Sequence, residues 1–292
     1  MTLATVWKFY VKEILKRWEF WVLAVIFTIF WQSTGAYVFA DYNFPPETWL
    51  RLTEEMRRKI VHSYTGSWYG FVALFMLSFM AITFVQIICH SVVSVRYLSK
   101  YSKASTSRFF TGLVLAALTA IAMATVFLLT STVLFYSQKF YDLKELVVPQ
   151  NYLGILATTV AGGLFAYFLS MTLAMLVIVL RRPRMLSAMC IAPVVLAFGL
   201  GYTANYAGGV EIQALPFGLI TRLGEHYYSG IPIDLTKPGV QTWMAWLRGQ
   251  QLNAIDPFFA WLIMLGWIAL LALTSMLLLR KQRGINVEEL MG

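Results

Sequence analysis

The sequence predicts an all-α membrane protein with six transmembrane helices, and three observations carry that expectation. Six long apolar stretches hold no Asp, Glu, Lys or Arg in their interiors. Hydrophobic residues make up 59% of the 292-residue chain and charged residues 13%, about half the charge of an ordinary soluble domain. The charges that exist are segregated between two sets of loops. Little chain is left over for a separate soluble domain, so residues 1–292 are read as one membrane domain.

The expected spans are Phe20–Ala40, Trp68–Val95, Phe109–Tyr136, Tyr152–Leu180, Met185–Ala207 and Pro257–Leu279. Each meets the roughly 20 residues needed to cross the hydrocarbon layer. The second and third exceed that length and should tilt or protrude. One set of flanks collects 14 of the 23 Lys and Arg but four of the 14 Asp and Glu. These cations are Lys8, Lys12, Lys16 and Arg17; Arg96, Lys100, Lys103 and Arg108; Arg181, Arg182 and Arg184; and Arg280, Lys281 and Arg283. By the positive-inside rule that side is cytoplasmic. The expectation is a multi-pass protein of the cell (plasma) membrane with both termini in the cytoplasm. The net charge of +9 then reports topology, and no nucleic-acid partner is expected.

The amino-terminal residues 1–18 form an amphipathic helix. Leu3, Val6, Trp7, Tyr10, Val11, Ile14, Leu15 and Trp18 recur at helical spacing, with Lys8, Lys12, Glu13, Lys16 and Arg17 opposite. Such a helix lies in the membrane interface, apolar face down and lysines at the lipid phosphates. Glu13 and Arg17 stand at i,i+4 spacing, suited to an ion pair. An anchor and a docking helix for a cytosolic partner both fit. The apolar stretch behind it is too long for the core of a signal peptide.

Beyond the first span, Pro45-Pro46 precedes a stretch of mixed charge that reads as a short surface helix over Thr48–Val61. The segment Arg96–Arg108, RYLSKYSKASTSR, is short and basic, and Tyr97, Leu98 and Tyr101 give it one small apolar face. It reads either as a cytosolic helix that plugs into a partner or as an ordinary positive-inside turn. The fourth span carries small residues at spacing four, Thr158, Gly162, Ala166 and Ser170, beside Thr159 and Gly163. Residues this small let helix backbones approach closely. The pattern marks a packing seam without saying whether it lies inside the chain or between subunits.

The outward region 208–256 contains two apolar pieces, Leu215–Ile220 and Trp243–Leu247, set apart by Gly and Pro. Neither is long enough to span, so both are expected to be interfacial or re-entrant. Asp256-Pro257 then opens the last span, with Asp as N-cap and Pro in the first helical position.

The chemistry-bearing motifs are missing. No Gly-Lys dipeptide occurs, so there is no phosphate-binding GxxxxGK[ST] loop, and there is no HExxH or GxSxG. No metal site is expected, and no enzymatic activity in the chain itself. Cys89 and Cys190 fall inside spans and read as small core residues without a disulfide. Ion-coupled transporters keep ionisable groups at mid-membrane, and ion channels use charged rings or filter loops. The spans here offer His90 and little else. If the protein moves a solute, another polypeptide supplies the energy. A secondary transporter or channel, or a non-transporting membrane scaffold, are the competing readings.

This order of elements resembles the ABC type-2 permease family, the membrane subunits of type V-fold ABC exporters. The resemblance runs through the whole chain. Lys12-Glu13-Ile14-Leu15-Lys16-Arg17-Trp18 resembles the end of the family's connecting helix, Arg96–Arg108 sits where its coupling helix lies, and 208–256 resembles its paired re-entrant helices. Asn253-Ala254-Ile255-Asp256-Pro257-Phe258 is similar to its Asn-Pro-Phe-like start of the last span, with Asp256 in place of Asn. The Glu and Pro that the family often carries in the coupling segment are missing between Ser94 and Arg108. The resemblance implies a dimer, with an identical or paralogous permease subunit, above two cytosolic ABC ATPase subunits that bind ATP and Mg, so the chain needs no cofactor of its own. It implies coupling through Tyr97, Leu98, Lys100, Tyr101 and Lys103 and through Lys8, Lys12 and Glu13, with helix packing through Thr158, Gly162, Gly163 and Ala166. A pathway walled by Phe, Met, Ser and Thr suits export of an amphipathic, lipid-like or drug-like substrate.

Overall fold

The computed structural model describes residues 2–101, 106–207 and 209–281. Among them the regular structure is helical, apart from one isolated antiparallel bridge between Ile233 and Ile255. In chain order the helices are α1 (Leu3–Lys16), α2 (Phe20–Asn43), α3 (Pro46–Leu50), α4 (Glu54–Tyr101), α5 (Thr106–Lys139), α6 (Tyr152–Val179), α7 (Leu186–Tyr206), α8 (Val210–Gln213), α9 (Pro216–Ser229), α10 (Gly239–Leu247) and α11 (Pro257–Lys281). Six of them, α2, α4, α5, α6, α7 and α11, are long and apolar enough to cross a membrane. The fold is an all-α membrane architecture. The ends bearing α1, the close of α4 and the α6–α7 turn are called the basic face, and the other end the loop face.

Capping follows simple chemistry. Thr2 Oγ1 accepts the Thr5 amide at 3.3 Å to start α1, and Asn151 Oδ1 accepts Gly154 N at 2.9 Å to start α6. Asp256 Oδ1 accepts Phe258 N at 2.8 Å behind Pro257, the cap read from the sequence.

One expected element is not separate. The mixed-charge helix anticipated over Thr48–Val61 is split: α3 ends at Leu50, and from Glu54 the chain runs without a break into the second span. Thr53 caps this second start by accepting Met56 N, and no proline interrupts the next 48 residues. The result is one helix about 72 Å long at 1.5 Å per residue. Arg58–Glu54 and Lys59–Glu55 pairs line its first turns on the loop face.

α2 is wound unevenly. Wide π-type turns at Phe20–Ile26 and Thr34–Phe39 enclose an ordinary helical stretch, Phe27–Ser33. α7 carries Pro193, which has no N–H to bond the preceding turn, and a wide turn follows at Ala197–Gly201. The centre of the bundle is α4 and α6, buried over 78% and 67% of their most apolar stretches. α2, α7 and α11 are peripheral, at 33%, 22% and 11%. α9 does not span, yet nearly every residue in it is buried.

The expected Glu13–Arg17 pair does not form. α1 ends at Lys16, and Arg17 has extended backbone (φ −77°, ψ 126°), so its side chain leaves the helical register. Its guanidinium donates to Gln86 Oε1 on α4 at 2.6 Å instead.

Candidate functional site

The packing seam is internal. Thr158, Gly162, Gly163 and Ala166 are all buried in α6. A Cβ on Gly162 would come within 3.0 Å of Leu77 on α4 and of Ile220 on α9. A Cβ on Gly163 would overlap Ile121 of α5. The small residues therefore bring α4, α5 and α9 onto α6 within one chain.

The loop face holds a polar site that the sequence reading missed. α9 lies against α4 through glycine contacts: a Cβ on Gly70 would sit 2.7 Å from the Thr221 carbonyl oxygen, and one on Gly224 would sit 3.1 Å from Gly70 Cα. This close approach carries Arg222 and Glu225, 3% and 5% exposed, into the protein. Arg222 Nη1 donates to Glu225 Oε2 at 3.2 Å, its Nε to Gln213 Oε1 at 3.1 Å and its Nη2 to the Lys237 carbonyl at 3.1 Å. Ser67 Oγ on α4 donates to the other Glu225 oxygen at 2.5 Å. Gln213 in turn donates to the Ala204 carbonyl at the end of α7. Burial pushes the Glu225 carboxyl up, against the pull of Arg222 and Ser67.

The loop that supplies the Lys237 carbonyl is itself fixed. Buried Asp234 accepts Thr236 N at 2.9 Å and Asn253 N at 3.1 Å. Ile255 N donates to the Ile233 carbonyl at 2.8 Å, tying the loop to the start of α11. The cluster is a clamp that joins α4, α7, α9 and the α11 approach. A signal for it stood in the sequence: Gly66 and Gly70 at spacing four, and Arg222 and Glu225 three apart behind the apolar run Leu215–Ile220.

On the basic face, α1 is docked. Val6, Tyr10 and Ile14 are buried. Val6 sits over Gly112 of α5, where a Cβ would come within 2.5 Å of it, and Tyr10 meets Phe109 edge-on at 5.3 Å. The Tyr10 hydroxyl lies beside Ser91 of α4. That contact lies six residues, about 9 Å along the helix, before Tyr97. Lys8 and Lys12 are exposed and Glu13 is half-buried. The α4 backbone carries Tyr97, Leu98, Lys100 and Tyr101 in its final turns; their side chains and all of Lys103 lie outside the described residues. α1 and the end of α4 thus share one face. Among the described residues no group of three His, Cys, Asp or Glu is placed to hold a metal ion.

No protein-family model and no curated protein matches this chain.

Proposed function

We propose that this chain is the transmembrane subunit of an ATP-driven ABC exporter, powered by separate cytosolic ATPase subunits and paired with a second permease subunit. The observation that carries the reading is α4. A single helix of 48 residues is more than twice as long as a bilayer crossing requires. Its loop-face half holds the clamped helix α9 through Ser67 and Gly70. Its other end reaches the basic face beside α1. A push on that end moves the α9 clamp as part of the same rigid element. Apart from His90, near the basic end of its span, the expected spans hold no His, Asp, Glu, Lys or Arg for ion coupling, so the proposed push comes from a motor on the basic face. The Lys and Arg bias makes that face cytoplasmic in the cell membrane. Tyr97, Leu98, Lys100, Tyr101 and Lys103, with Lys8, Lys12 and Glu13, are the proposed contacts. An amphipathic, lipid-like or drug-like substrate fits the apolar helix surfaces.

The test is purification from native membranes, identification of co-eluting ATPase subunits, and reconstitution into liposomes. The Tyr97→Ala/Lys100→Glu/Tyr101→Ala variant should keep most ATP hydrolysis and lose at least tenfold in transport. Unchanged transport removes the coupling role. The buried Arg222–Glu225 pair favours one rival, an ion-coupled transporter. In that case the isolated chain drives flux on a proton or sodium gradient without nucleotide, and Glu225→Gln abolishes it.

A further inference from the structure

α1 presents three rows of side chains, each repeating every four residues. The first row, Val6, Tyr10 and Ile14, is buried against α5. The third row, Lys8, Lys12 and Lys16, is exposed and makes no ion pair among the described residues. Between them runs an apolar row, Trp7, Val11 and Leu15, that is half-buried. This apolar row and the lysine row line a shallow groove of about 350 Å³.

The direction of this groove is fixed by Trp7. Its Nε1 donates to Thr119 Oγ1 of α5 at 3.0 Å, seven residues farther along α5 than the Gly112 beneath Val6. That is about 10 Å toward the middle of the span. The apolar row therefore looks along α5 into the membrane, and the lysines form the rim above it. Trp21 Nε1 donates to the Leu15 carbonyl at 2.8 Å, and exposed Trp18 and Trp21 flank the end of the groove. Indole rings prefer the headgroup level of a bilayer.

We propose that this groove binds one anionic phospholipid, with an acyl chain along Trp7, Val11 and Leu15 and the headgroup phosphate at Lys8 and Lys12. Three lysines on successive turns match a negative headgroup, and an apolar strip opening toward the hydrocarbon matches its chain. With the phosphate at Lys8 and Lys12, those two lysines are withdrawn from the proposed motor contacts, and a cytosolic protein approaching the basic face meets the side of α1 that bears Phe9, 52% exposed, and Glu13. The proposal stands whether or not the chain is a transporter subunit.

The full chain is purified in mild detergent and titrated with phosphatidylglycerol or phosphatidylcholine of the same chains, with native mass spectrometry reading bound lipid. One phosphatidylglycerol per chain is expected, retained in preference to phosphatidylcholine and not displaced by millimolar inorganic phosphate. Each lysine removed in the series Lys8→Gln, Lys12→Gln, Lys16→Gln should weaken binding about fivefold, while Glu13→Gln leaves it unchanged. Equal retention of both lipids, or full phosphatidylglycerol retention by the triple variant, overturns the proposal. Should the triple variant fail to accumulate, the wild-type protein decides alone: retention must fall as sodium chloride rises, and salt-independent retention refutes the site.

Discussion

Arg222 and Glu225 show what a single buried charge demands. Neither side chain has water to turn to, so each oxygen and nitrogen needs a protein partner, and Ser67, Gln213 and the Lys237 carbonyl supply them. Removing one member strands the other. Arg222→Met leaves a carboxylate in a closed site with one hydroxyl, and such a loss costs about 3–5 kcal/mol. Removing both charges at similar volume costs far less, because hydrophobic replacements of buried pairs are often neutral. Arg222→Met should therefore sharply lower thermal stability in detergent, and Arg222→Met/Glu225→Met should recover most of it, read by the unfolding midpoint. Gln32 of α2 makes the opposite case: it is fully buried, and neither amide atom has a protein partner among the described residues. Gln32→Leu should raise stability by about 1–3 kcal/mol. If transport falls at the same time, the amide pairs with something that enters later.

At the scale of elements, α1 is held by shape. The close approach of Val6 to α5 exists because position 112 lacks a side chain, so a larger residue there lifts α1 off while leaving the span that carries it helical. Gly112→Leu should leave the six crossing helices inserted while trypsin cuts after Lys8 and Lys12 many times faster than in the wild type. Unchanged cleavage means that α1 is held by something other than this contact. The spans themselves were legible, because twenty charge-free residues have one physical solution in a bilayer. The amphipathic period of α1 was legible too, but its target was not. Period alone assigns Val6, Tyr10 and Ile14 to a buried face and cannot distinguish lipid from the surface of α5. The continuity of α4 was hidden for a related reason. Charged residues 54–59 break the hydropathy of the second span without breaking its helix, since nothing in Glu54–Tyr101 removes a backbone hydrogen bond. The clamp was hidden because the partners of Arg222 and Glu225 come from α4, α8 and the Lys237 loop, and no local pattern encodes that meeting.

At the scale of the whole molecule, the bundle is lopsided, and the proposed dimer has to use that asymmetry. α11 packs Ala260, Met264 and Ser275 inward and exposes the opposite face through Phe258, Leu262, Leu265, Leu270 and Leu273, as expected of a helix that faces lipid chains on one side. α7 differs. Its exposed residues Ile191, Val195, Phe198, Tyr202 and Tyr206 fall on one stripe at spacings of three and four. Gly199 sits beside that stripe with open space where its side chain would be. Pro193 and the wide turn at Ala197–Gly201 also disturb its backbone, and irregular backbone within a membrane is kept where protein covers it. A small residue in a disturbed helix is where a second backbone approaches closely. The stripe on α7 is accordingly the face expected to meet the second permease subunit. In a background with Cys89 and Cys190 replaced by Ser, Val195→Cys or Tyr202→Cys should form disulfide-linked dimers in native membranes under mild oxidation, whereas Leu265→Cys on α11 should not. Gly199→Leu should reduce that cross-linking several-fold and shift the purified protein toward monomer. Cross-links at position 265 with none on α7 would move the subunit contact to α11 and leave the α7 stripe to lipid.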